Sequence, residues 1–256
     1  METTFLGVPN VDAFLFFCLT LFAAFSAFIG ITTGTVGGLL MMVVLASLFP
    51  PTASIPIHTV VQLGGNLNRT FLLWGYLIKH LIPPFVIGAI IGVIAGAQIF
   101  VSLPTAILQG LLGVVMVIFT WMPTLGRFGS TRNRFAFLGF CGTFLGMFVS
   151  ATGGIIAPFV ASVSTDRRNH VATFSILMVI VHLFKLLAFG MLGVTMAPYL
   201  PLMGAMLASA SIAIYFGNKI LHRMREKNFR MIFKVTITIL AIRLIWHALK
   251  ENGLFL

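Results

Sequence analysis

Carboxylates are what this sequence has least of. Its 256 residues include five, Glu2, Asp12, Asp166, Glu226 and Glu251, each near a chain end or between apolar runs. Their absence from the runs excludes a buried acidic proton relay and a carboxylate cage for sodium or calcium. Cysteine is nearly as scarce. Cys18 and Cys141 stand far apart within hydrophobic runs, without CxxC or metal-ligand spacing, and read as packing residues. No HExxH pattern or nucleophile elbow occurs. No metal and no cofactor are therefore expected.

What fills the sequence is apolar. Hydrophobic residues make up 59% and charged ones 8%, with a mean hydropathy of +1.08, outside the range of a water-soluble domain. The expectation is an all-α integral membrane protein, because the runs are long and continuous and lack the short alternation of a membrane barrel. No polar stretch is long enough to fold alone, so residues 1–256 read as a single transmembrane domain. The formal charge of +11 does not imply a nucleic-acid partner. The basic residues crowd into short loops beside the runs, where cytoplasmic membrane loops carry them. With Glu2 and Asp12 and no basic n-region, the first run reads as a span and not a cleaved signal peptide.

Hydropathy divides the chain into segments at 12–32, 36–49, 54–80, 83–102, 105–122, 135–151, 154–164, 169–195, 198–217 and 231–250. Prolines at 50–51, 83–84, 104, 123, 198 and 201 fall between them. Segments 36–49 and 154–164 are shorter than the roughly 20 residues a span needs. Each starts at glycines, Gly34, Gly37 and Gly38 in one and Gly153 and Gly154 in the other, as half-helices do. Gly37 and Gly153 lie 116 residues apart, and the same offset carries Arg69 to Lys185 and Asn66 to His182. Identity at this offset is no better than chance, so the expected repeats, about 12–122 and about 135–250, rest on matching landmarks.

Charge sets the expected orientation. Loops with Arg127, Arg132 and Arg134, with Arg167 and Arg168, and from Lys219 to Arg230 should all be cytoplasmic. An even number of crossings must then separate them, so 135–151 and 154–164 form a hairpin that enters and returns. Each half becomes a broken-helix hairpin plus three spans, the halves are inverted, and both termini lie outside the cytoplasm.

The site follows from two cations. Arg69 and Lys185 each sit about sixteen residues into a segment of about 27, near 24 Å along a helix. A buried cation costs roughly 2.5–3.5 kcal/mol on insertion scales, and no carboxylate is placed to neutralise either. An anionic substrate supplies the missing charge. Both glycine breaks open short helices whose N-termini offer unpaired N–H groups and partial positive charge. The first break reads Thr32-Thr33-Gly34-Thr35-Val36-Gly37-Gly38 and the second Ser150-Ala151-Thr152-Gly153-Gly154, and their hydroxyls add donors. The expected substrate-binding set is Arg69, Lys185, Asn66, His182, Thr35, Gly37, Gly38, Thr152, Gly153 and Gly154. The glycines also fit a plain packing role, since small residues let membrane helices approach. His182 fits three roles: ligand contact, proton carrier or packed ring. His58 fits a gate but sits early in its helix and reads as ordinary, with Gln62 and Gln109 as weaker polar candidates. Arg243, Trp246 and His247 read as interfacial anchors, and the basic stretch from Lys219 to Lys234 as facing lipid headgroups.

Thr152-Gly153-Gly154-Ile155-Ile156-Ala157-Pro158, in a chain of this length and two-half organisation, resembles the TauE/SafE family, the toluene sulfonate uptake permease or sulfite exporter group of membrane proteins. The first half departs from that pattern, with Gly37-Gly38 after Gly34 and no proline at Met42. The resemblance implies a multi-pass protein of the bacterial cytoplasmic (inner) membrane that moves sulfur-containing anions such as sulfite, sulfonates or sulfoacetate. The leading expectation is alternating access around the basic site, with a small anion and membrane lipid as partners, in a monomer or a homodimer. An anion channel with the same site, or a membrane-embedded enzyme using His182 with Ser175 or Thr173, are the alternatives.

Overall fold

The computed structural model describes residues 4–33, 36–121, 131–150, 152–164 and 166–220, with 238–239, 242, 245–246 and 249–250 beyond them. The described residues form an all-α fold. In chain order its helices are α1 (Ala13–Thr33), α2 (Val36–Leu48), α3 (Pro51–Leu72), α4 (Ile82–Ser102), α5 (Thr105–Trp121), α6 (Thr131–Val149), α7 (Gly153–Ala161), α8 (Arg167–Met191) and α9 (Leu200–Ile220). Local sequence explains several starts. The Asp12 carboxylate accepts from Leu15 N–H at 2.7 Å, and Asp166 accepts from Arg168 N–H at 2.8 Å, each satisfying a donor that a helix start leaves open. Pro51 opens α3, where its missing N–H costs nothing.

Four stretches among the described residues are long and apolar enough to cross a bilayer: Ala13–Gly30, Lys79–Phe100, Arg168–Met191 and Ala197–Gly217. α2 and α7, with 13 and 9 residues, are about 20 and 14 Å long and cannot cross alone. Large apolar side chains face outward, among them Phe14, Leu21, Ile91, Phe137 and Ile212, while Ser54, His58, Thr143, Ser150, His182 and Lys185 are buried. That is the arrangement lipid imposes: apolar groups outward and polar groups paired or clustered within.

Three pairings dominate the packing: α4 on α6, α1 on α9 and α3 on α8. Glycines permit the first. A Cβ added at Gly88 would collide with the Ala136 carbonyl, one at Gly92 with that of Phe140, and one at Gly139 with that of Phe85. The backbones therefore approach as closely as small residues allow. Helix starts recur at nearly constant spacing: 118 residues from Ala13 to Thr131, 117 from Val36 to Gly153, 116 from Pro51 to Arg167 and 118 from Ile82 to Leu200. Under that spacing the α4–α6 and α1–α9 pairings exchange, and α3–α8 maps onto itself.

The structure corrects three sequence expectations. The segment 54–80 is helical only to Leu72 and continues as short 3-10 turns at Trp74–Tyr76 and Lys79–Leu81. Hydropathy registers apolarity and not helicity, so it ran through the break. Arg69 consequently lies in the last turn of α3, the nineteenth of its 22 residues. Arg132 and Arg134 lie in α6, which begins at Thr131, and Arg167 and Arg168 open α8, so none of the four is a loop residue; Arg134 is only 7% exposed. Gly34, Thr35, Arg127, Arg223, Arg243 and His247 lie outside the described residues, as does most of segment 231–250.

Candidate functional site

Helical spacing builds the wall of the site. On α3, His58, Gln62, Asn66 and Arg69 are separated by four, four and three residues, which places them on one face. On α8, Phe174, Met178, His182 and Lys185 repeat those intervals. All but Lys185 line one cavity of about 30 Å³ between α3 and α8, closed further by Ser26 and Gly30 of α1, Gly38 of α2, Ser150 after α6 and Gly153 of α7. That volume admits one or two water-sized particles. The two faces differ chemically: α3 supplies four polar groups, whereas α8 supplies two apolar side chains below His182 and Lys185.

Ser150 ties the helices together. It follows the last residue of α6 with φ of 62°, a left-handed conformation uncommon outside glycine, asparagine and aspartate. This turn directs a fully buried hydroxyl inward. Lys185 Nζ donates to Ser150 Oγ at 2.6 Å, and Oγ lies 2.9 Å from His58 Nδ1. The Gly38 carbonyl, which can only accept, lies 2.8 Å from His58 Nε2, so Nε2 carries the ring proton. Nδ1 of the neutral ring is then the acceptor, and Ser150 donates to it. Thr59 donates to the Ile55 carbonyl at 2.7 Å and lies 3.2 Å from Ser150 Oγ. The Gln62 amide is 3.3 Å from His58 Nε2.

Arg69 occupies the far side of the cavity. It is 9% exposed, and a Cβ added at Gly30 would lie 3.0 Å from its Nη2, so this glycine makes room for the guanidinium. Asn66 donates to the Gln62 carbonyl at 2.8 Å and leaves its own oxygen without a partner among the described residues. Arg69 Nε, Thr152 Oγ1 and both ring nitrogens of His182 are likewise buried without partners among the described residues. Buried polar groups in this condition call for a bound species. The closest ion pair among the described residues, Arg168 with Asp166 at 3.7 Å, is exposed at the start of α8 and far along the chain from either buried cation.

The structure divides the glycines that the sequence treats alike. Gly37 is a packing residue: a Cβ there would collide with Ser26 O and the Gly30 backbone, and its carbonyl accepts from Ser26 Oγ at 2.7 Å. Gly38 lines the cavity and turns its carbonyl to His58. Gly153 lines the cavity where α7 begins, while Thr152 makes no capping bond to that helix through its side chain. Gly154 is half-buried one residue on. Thr35 lies outside the described residues. Thr173 accepts from Ile78 N–H at 3.0 Å, and Ser175 Oγ has no partner among the described residues, so neither forms a nucleophile–base pair with His182.

Two residues here lie outside the expected binding set. His58 was readable as a member, since it shares a helix face with Gln62, Asn66 and Arg69. Ser150 was read as one hydroxyl of the second glycine break, but nothing local marks a serine for the left-handed turn that makes it the hub.

Comparison with known proteins adds one match. The family model described as sulfite exporter TauE/SafE matches residues 19–244, most of the chain. No curated protein and no solved structure matches.

Proposed function

The chain belongs to the sulfite exporter TauE/SafE family, a family of membrane transporters, and from that premise and the site we propose a carrier of small sulfur-containing anions. Sulfite, short sulfonates and sulfoacetate are the substrate class, and the bacterial cytoplasmic membrane is the location. One observation carries this reading. Arg69 and Lys185 are each the nineteenth residue of their helices, those helices pack together, and the adjacent polar cavity holds no carboxylate among the described residues. A bound anion supplies the charge that makes two such cations tolerable in a membrane interior. Arg69 and Asn66 reach it directly, the start of α7 at Thr152, Gly153 and Gly154 offers N–H groups, and Lys185 adds positive potential from behind Ser150.

Alternating access follows in this proposal from the two halves. Helix starts spaced 116–118 residues apart and the exchanged α4–α6 and α1–α9 pairings support a pair of repeats. Basic loops placed on one side make the repeats inverted, with α1–α2 and α6–α7 as hairpins that rock about the shared α3–α8 contact. Purified protein in proteoliposomes tests this. A carrier gives saturable sulfite flux, accelerated by sulfite on the opposite side, and Arg69→Ala lowers it at least roughly tenfold through loss of a charged hydrogen bond. Flux that neither saturates nor exchanges makes the protein a channel, and no flux of any sulfur anion rejects the proposal.

A further inference from the structure

Building on the transport reading above, we propose that the site also protonates its cargo: a proton passes from Lys185 through Ser150 and His58 to a small oxyanion able to accept it. Sulfite fits this chemistry, whereas a sulfonate has no second proton to take near neutrality. The geometry is a directed chain. Lys185 Nζ is 2.6 Å from Ser150 Oγ, Oγ is 2.9 Å from His58 Nδ1, and the opposite ring nitrogen, Nε2, lies at the cavity wall beside Gly38 and Gln62. A serine held at φ of 62°, where glycine is the relaxed choice, is strain retained for the position of its hydroxyl.

The transfer balances. The Lys185 N–H bond breaks as a Ser150 O–H bond forms, the original Ser150 proton moves to His58 Nδ1, and the Nε2 proton leaves its hydrogen bond to the Gly38 carbonyl for the anion, after which the Gln62 amide, 3.3 Å away, can donate to the bare Nε2. Lys185 ends as a neutral amine, Ser150 keeps a hydroxyl, His58 becomes its other neutral tautomer, and a dianion becomes a monoanion. A buried cation and a dianion are thus exchanged for a neutral amine and a single charge, which low dielectric favours. When the emptied cavity admits water, a proton entering at Nε2 runs the chain backwards and recharges Lys185. The other titratable groups here are Arg69 on α3, which keeps its proton, and His182 on α8, whose ring faces His58 at 6.0 Å between centroids. α1, α2, α6 and α7 present Ser26, the Gly38 carbonyl, Ser150, Thr152 and Gly153, none of which titrates.

Sulfite flux at two pH values decides the matter, with protein-free vesicles correcting for leak. Near pH 6 sulfite already carries its proton, whereas near pH 8 the dianion must receive one. Wild type is expected to work at both. Ser150→Ala, which preserves volume without the hydroxyl, and His58→Gln should each lose at least roughly tenfold more flux near pH 8 than near pH 6. Ser150→Gly, relaxed at this φ, guards against a folding defect and should follow Ser150→Ala. Equal loss at both pH values, or no loss at either, overturns the relay. Absence of wild-type sulfite flux at both rejects the transport reading instead.

Discussion

Lys185 is fully buried, and its ammonium has one hydrogen-bond partner among the described residues, Ser150. A stability-driven sequence would place an apolar side chain here, because replacing a poorly compensated buried charge by a hydrophobe of similar volume is often neutral or stabilising. Lys185→Met should therefore leave the thermal midpoint in detergent unchanged or raised, while sulfite flux falls at least roughly tenfold. A lowered midpoint would make Lys185 a structural residue. The glycines give a second contrast. Gly37→Ala forces a methyl onto the Ser26 carbonyl and Gly30 backbone, whereas Gly38→Ala meets only the movable end of Gln62. The first should destabilise by about 1–3 kcal/mol and the second by much less, while Gly38→Ala should still impair flux by crowding the cavity. Thermal unfolding and flux on the same preparations separate the two effects.

Among the helices, α4 and α6 form the closest contact, and it rests on backbone against backbone. Gly88→Ala should lower thermal stability by about 1–3 kcal/mol, because its methyl meets the Ala136 carbonyl and the Phe140 backbone nitrogen, neither of which can swing aside. Gly204→Ala in α9, with nothing within 4 Å, should be neutral or slightly stabilising through helix propensity. The sequence made most elements legible: α2 and α7 were recognisable as short helices opening at glycines, while the capping of α1 and α8 by Asp12 and Asp166 emerged only in the structure. What it could not deliver was tertiary. The end of α3 at Leu72 is hidden because the residues after it stay apolar. Arg134 reads as a loop cation until α6 is seen to begin at Thr131. Arg69, Asn66, His182, Gly38 and Gly153, grouped in the sequence by offset and spacing, line one cavity. Ser150 was legible as a hydroxyl of the second glycine break but not as a hub, since that role depends on a backbone turn and on α3 and α8 arriving from different halves of the chain.

At the scale of the molecule, the proposed arrangement has two halves that place matching cations on a central helix pair and basic loops on one membrane face. That orientation is measurable. A single cysteine at Arg168, 59% exposed beside Asp166, should react with a membrane-impermeant thiol reagent from the cytoplasmic side alone, in a background where Cys18 and Cys141 are replaced by serine. A cysteine at Thr4 should react from the opposite side. Labelling of both from one face would remove the inverted arrangement. The central claim is narrower: Arg69 faces a cavity that takes a small anion. Sulfite added to purified protein should raise its unfolding free energy, by about 2.7 kcal/mol at a hundredfold excess over Kd, and Arg69→Ala should abolish that rise while folding normally. Sulfite stabilising Arg69→Ala as much as wild type, or stabilising neither, would contradict the account.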